Sequence, residues 1–126
     1  MRIDSSTAAV VTGGASGLGQ ATAEALAAAG VKVALGGFFD GDQPRYAPQF
    51  AGNLVGLSRV PGASGLSWGQ ALAAITSIPA EILGEGAVFG SLKPGFAADV
   101  LVWDGDPLEV SSTPATIFID GKPQSL

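Results

Sequence analysis

A chain of 126 residues carries one domain's worth of core, and nothing in its length accommodates a two-domain enzyme. Its net charge of −5, with only six Lys and Arg, excludes the basic patch that a nucleic-acid partner requires. The complete absence of cysteine and histidine removes disulfides, thiolate nucleophiles, the usual structural zinc site and the commonest general base, so chemistry would fall to carboxylates, Lys, Tyr, Ser or Thr.

Hydrophobic residues make up 47% of the chain and charged ones only 13%, a thin polar surface that favours association. No apolar run approaches the roughly 20 residues of a membrane span. The opening Met1–Thr7 is polar, with no signal-peptide core behind it. A cytoplasmic protein with no membrane partner is the expectation.

In chain order, Ala8–Thr12 is a short apolar run that reads as a buried parallel strand. It feeds into Gly13-Gly14-Ala15-Ser16-Gly17-Leu18-Gly19, after which a helix should follow, with Leu18, Thr22, Ala25, Leu26 and Ala29 along one stripe. Gly30 suits the left-handed position that ends a helix, and Val31–Leu35 reads as a second strand. Strand, glycine turn, helix and strand together make a Rossmann-like βαβ unit.

The glycines have a physical role in such a unit. Gly13 permits the tight turn, Gly17 lets the backbone approach a pyrophosphate, and Gly19 lets helix and strand pack closely. A turn made tight for packing alone would use the same residues. Thr12-Gly13-x-x-x-Gly17-x-Gly19, preceded by Ser5–Val11, resembles the start of a short-chain dehydrogenase/reductase, in particular its 3-hydroxyacyl-CoA dehydrogenase branch.

The resemblance implies an NAD-binding loop in which Gly13, Ser16, Gly17, Leu18 and Gly19 line the cofactor diphosphate. It ends near residue 35. Where that family places an acidic residue for the ribose, Gly36-Gly37-Phe38 stands, and Asp40 arrives late. The one tyrosine, Tyr46, lacks the Lys four residues on that the catalytic pair needs. Hydride transfer is therefore not expected, and any NAD binding should be weak.

Beyond a Gly- and Asp-rich loop, Gln49–Val60 reads as a helix with Phe50, Leu54 and Leu57 on one face, weakened by Gly52 and Gly56. Pro61–Gly65 is a break. Ser67-Trp68-Gly69-Gln70 has capping-box spacing, with Leu66 and Ala71 placed as a hydrophobic staple, and the helix it opens should end near Ser77. Pro79 fits the first position of a short helix closing at Gly84. Lys93-Pro94-Gly95 is a turn, Val100–Trp103 a strand apolar on both faces, and Thr116–Ile119 runs through the Asp120-Gly121 hairpin signal into Lys122–Gln124.

Ala74–Ala80, Gly90–Gly95, Ala98–Asp104 and Ile117–Gly121, in that order, resemble the C-terminus of the amidohydrolase superfamily, most nearly its imidazolonepropionase-like members, a likeness that takes in about residues 28–126. In that family the region supplies the last barrel strand, closing helices and part of a small β-sandwich. The chemistry there is hydrolysis by a divalent metal held on histidines and an aspartate. That set does not transfer to a chain without histidine, so no metal and no catalytic residue are expected. The family's metal aspartate would fall near Phe38, and the nearby Asp40 and Asp42, like Asp99, Asp104 and Asp106, read as turn residues. Trp68 and Trp103 lie in apolar stretches and are expected to pack in the core.

The expectation is an α/β chain in two segments: a Rossmann-like βαβ unit over 1–36, then helices and a small C-terminal β-hairpin region over 37–126, with a seam inside Ala27–Leu35. Its function reads as an amidohydrolase C-terminal fragment fused to a dehydrogenase-like loop and catalytically inactive as it stands. A small NAD(P)-binding module of short-chain dehydrogenase type and a structural or non-functional recombined product are the alternatives. Self-association through unpaired strand edges is the expected partnership.

Overall fold

The computed structural model describes residues 3–12, 17–36 and 46–125. Its architecture is mixed α/β, as expected, with nine elements in chain order among the described residues. They are β1 (Ala8–Thr12), α1 (Gly17–Ala28), β2 (Lys32–Gly36), α2 (Ala47–Leu57), α3 (Trp68–Ile75), α4 (Ser77–Ile82), β3 (Val100–Trp103), β4 (Pro114–Ile119) and β5 (Lys122–Gln124).

β1 and β2 pair in parallel, from Ala8 opposite Lys32 to Thr12 opposite Gly36. The helix between them ends as its sequence dictates. Gly30 takes φ +79°, the Val31 amide donates to the Leu26 carbonyl at 3.0 Å and the Gly30 amide to the Ala27 carbonyl at 2.9 Å. These two bonds satisfy carbonyls that the helix end would otherwise leave open.

The buried stripe of α1 is turned from the expected one. Ala23 is buried and Leu26 and Ala27 pack against the core, whereas Leu18 is 89% exposed and Thr22 and Ala25 face outward. The cause is size. Alanines at this spacing let the helix lie close over Val11, Val31 and Val33, while the Thr22 hydroxyl turns back to donate to the Leu18 carbonyl at 2.8 Å.

β1 is also less enclosed than an all-buried strand: Ala9 and Val11 face the core, but Val10 is 56% exposed. The register partner of Val10, Ala34 on β2, is only 2% exposed on the same face, so the exposure belongs to β1, which alternates like a half-covered edge strand.

α2 begins two residues earlier than expected and ends three earlier, and buries Ala51 and Leu54. Phe50 and Leu57 are half-buried beside them. α3 carries the capping box its sequence announces. The Gln70 amide donates to Ser67 Oγ at 3.3 Å, and the Ser67 amide donates to Gln70 Oε1 at 2.9 Å. Leu66 and Ala71, the expected staple, are both buried. Pro79 sits third in α4 rather than first, and Gly84 takes φ +81° just past the helix end.

One hydrophobic cluster joins these elements: Val11, Ala23, Val31 and Val33 from the first part of the chain meet Ala51, Leu54, Leu66, Ala71 and Ala74 from the next. Leu108, from the β3–β4 connection, enters the same cluster.

β3, β4 and β5 form a separate antiparallel sheet in sequence order. Its register sets Val100 opposite Phe118 and Phe118 opposite Pro123, with an irregularity between Val102 and Trp103. The turn at Asp120-Gly121 has φ +50° and +71°, the left-handed pair that a two-residue hairpin demands. No described helix is long and apolar enough to cross a membrane.

Candidate functional site

The strands of a parallel pair end on the same side, and there the helix that follows the first strand begins. In this chain that side gathers Thr12, the Gly17 end of α1 and Gly36. Of the residues expected to line a cofactor diphosphate, Gly13 and Ser16 lie outside the described residues. Gly17, Leu18 and Gly19 form the first turn of α1, with Leu18 exposed. That turn carries no acidic side chain. Phe38, Asp40 and Asp42 follow β2 and lie outside the described residues.

A divalent metal needs several converging donors. Among the described residues no three of His, Cys, Asp or Glu come together, and the chain has no histidine to supply the rest. The described carboxylates do not converge on one point, so they do not by themselves form a divalent-metal donor set.

The aspartates of the C-terminal part act as turn anchors, in line with their sequence reading. Asp99 Oδ1 accepts the Asp120 amide at 2.9 Å, and beside it the Gly121 amide donates to the Ala98 carbonyl at 2.9 Å, so the two bonds hold the hairpin turn. Asp104 accepts both the Thr113 amide and the Thr113 hydroxyl at 2.8 Å. Those bonds, the amide's first, hold its carboxyl below the usual carboxylate range.

Asp106 does more than turn the chain. Its Oδ1 accepts the Leu108 amide at 2.9 Å, and the Trp68 indole N–H reaches Oδ1 at 2.9 Å and Oδ2 at 3.0 Å. The Leu108 bond and then the indole bond lower its pKa. Trp68 is 43% exposed, so it is not the core residue expected from its apolar neighbours; its indole meets the carboxylate instead. Sequence reading missed this pair because no local periodicity links residues 38 positions apart.

Shallow grooves also lie among the described residues. One, about 370 Å³, runs along Ser91, Leu92, Lys93, Phe96 and Val100, with the Lys93 ammonium 5.4 Å from the Phe96 ring centre. The other, about 280 Å³, lies between the end of α1, the start of β2 and α3, with Lys32 at its edge bound to Glu81 at 2.9 Å. Neither brings together the convergent polar groups of a catalytic cleft.

An α/β segment with this core and these turns matches the amidohydrolase family over residues 6–123, and the chain belongs to that family. The amidohydrolase likeness of the later motifs is thereby borne out, and the matched stretch runs through Ala27–Leu35 and back to the first strand.

Among individual proteins, it is 48% identical over 60 residues to the amidohydrolase tasK of Hapsidospora irregularis, a stretch equal to 48% of this chain and 6% of that protein. The crystal structure of an amidohydrolase from Thermotoga maritima MSB8 superposes with a TM-score of 0.69 at 29% identity, covering 81% of this chain and 25% of that one. A second amidohydrolase crystal structure gives 0.61 at 29% identity, covering 84% of this chain and 25% of its own. The chain thus spans about a quarter of the length of the two solved structures.

Proposed function

We propose that these 126 residues form a C-terminal segment of a metal-dependent C–N hydrolase of imidazolonepropionase-like descent, contributing framework to an active site rather than the reacting groups. The observation that carries this reading is the family match over 6–123 in a chain whose matched part covers only a quarter of the solved amidohydrolases. The missing histidines, and the dispersal of carboxylates among the described residues, support it from the side of chemistry. On this reading the polypeptide alone hydrolyses nothing. Assay against amide and cyclic-amide substrates with added Zn²⁺ is expected to show no metal-dependent turnover, and turnover saturable in both metal and substrate would overturn the proposal.

The dehydrogenase likeness of residues 1–35, with its seam in Ala27–Leu35, rests on the Thr12–Gly19 motif and the Ser5–Val11 run before it. The family match passes through both, which favours one descent for the whole chain. NAD binding through Gly13, Ser16, Gly17, Leu18 and Gly19 would then be weak or absent, because half a crevice lacks the adenosine and nicotinamide contacts. Titration with NADH followed by fluorescence tests this; saturable binding at submillimolar cofactor would restore the dinucleotide reading.

A further inference from the structure

We propose that the Trp68 indole and the Asp106 carboxylate form a proton-sensitive latch that docks the C-terminal sheet on the helical layer.

The latch lies beside a plug. Leu108, only 5% exposed, leaves the β3–β4 connection to join the core with Ala51, Leu54 and Leu66. The backbone approach is close: a Cβ on Gly52 of α2 would stand 2.0 Å from the Leu108 carbonyl oxygen. Two residues before the plug, one carboxylate ties both sides of the joint. It accepts the Leu108 amide from its own connection and the indole N–H from the first residue of α3.

Burial does not hold Trp68 in place, since it is nearly half exposed. The sheet itself is open, with Leu101 50%, Val102 44% and Ile119 52% exposed. Docking is therefore concentrated at the connection, supported by the Ala97 amide donating to the Val88 carbonyl at 2.9 Å.

The carboxylate is the part that can switch. As an anion it accepts charge-assisted bonds, roughly twice as strong as neutral ones. As an acid it gives up part of its acceptor capacity to a proton. No other ionisable group faces it from the packed helices, because α2 and α3 contain none. Its own connection brings Asp104, engaged by Thr113, and Glu109. The bonds favour the ionised form in the docked state, so the latch is closed above the ordinary carboxylate pKa and opens as pH falls through the lowered native value.

The test uses the full chain with Trp103→Phe, which leaves Trp68 as the sole tryptophan. Acid titration is followed by Trp68 emission and by amide-exchange protection at Leu108 and Val33. In acid, Trp68 emission should shift and Leu108 protection should fall while Val33 stays protected. The loss at Leu108 should be about tenfold for each unit by which docking lowers the Asp106 pKa. Adding Asp106→Asn, which keeps the shape and an acceptor but cannot titrate, should flatten both responses.

The same acid transition in the Asn variant, or simultaneous loss at Leu108 and Val33, would overturn the latch. Trp68→Phe gives an independent check that does not depend on the Asn variant folding. Without the indole bond the acid loss of Leu108 protection should move to higher pH, and an unmoved transition would also overturn the proposal.

Discussion

Two glycines one turn apart in α2 have opposite consequences for stability. A Cβ at Gly52 would collide with the Leu108 backbone, 2.0 Å from its oxygen and 3.1 Å from its carbonyl carbon, whereas a Cβ at Gly56 meets nothing within 4 Å. Helix propensity favours alanine at both by roughly 1 kcal/mol. At Gly52 the clash is with backbone that cannot rotate away, and overpacking costs about 1–3 kcal/mol. Gly52→Ala is therefore expected to lower the urea midpoint and Gly56→Ala to raise it. Equal shifts would contradict the close approach of α2 to the plug. The sequence showed both glycines only as weak points of a helix, because the neighbour that separates their roles lies more than 50 residues away. The local features were legible for the opposite reason: Ser67 with Gln70, and Gly30 at its helix end, satisfy their own turn's backbone groups and need no distant partner. Trp68 was misread as core because its apolar neighbourhood on the chain says nothing about Asp106.

At the scale of elements, strands and turns were easier to read than faces. β3 and β5 fall at their expected bounds and β4 gains only Pro114 and Ala115, since the flanking Asp, Gly and Pro residues punctuate the chain. The buried face of α1 was not legible, because an alanine-rich helix offers almost the same apolar character on every side and packing chooses the stripe. The hairpin allows a sharp test. Asp120 holds φ +50°, and its amide donates to Asp99 Oδ1. Asn tolerates the left-handed region and keeps that amide, so Asp120→Asn should leave stability nearly unchanged. A β-branched residue bears the full left-handed penalty of about 1–2 kcal/mol, so Asp120→Val should lower the unfolding free energy by that amount. Chemical denaturation of both variants decides it, and a Val variant as stable as the parent would remove the strain from the turn. Of the candidate site, the sequence made the missing histidines plain, but the spatial dispersal of the described carboxylates required the fold.

For the whole molecule, the decisive quantity is apolar surface without a covering layer. Parallel strands normally lie in larger sheets covered on both faces, and a two-stranded sheet has little stability of its own. Here β1 and β2 make such a pair: helices cover one face, while Val10 stands 56% exposed on β1. The solved amidohydrolases are about four times as long as the part this chain matches, which supports reading the exposed side of β1 as one that further strands cover. In their absence a second copy is the available apolar surface. The chain on its own is expected to grow in mass with concentration by light scattering, and its thermal transition should depend on concentration. Val10→Lys places a charge on the open face, where a surface substitution shifts stability by about 0.5 kcal/mol or less. It should therefore lower the associated mass while leaving the unfolding of the dilute protein almost unmoved. A monomer with a sharp, concentration-independent transition in both proteins would show that the β1–β2 pair needs no cover, and association unchanged by Val10→Lys would move the contact to another surface.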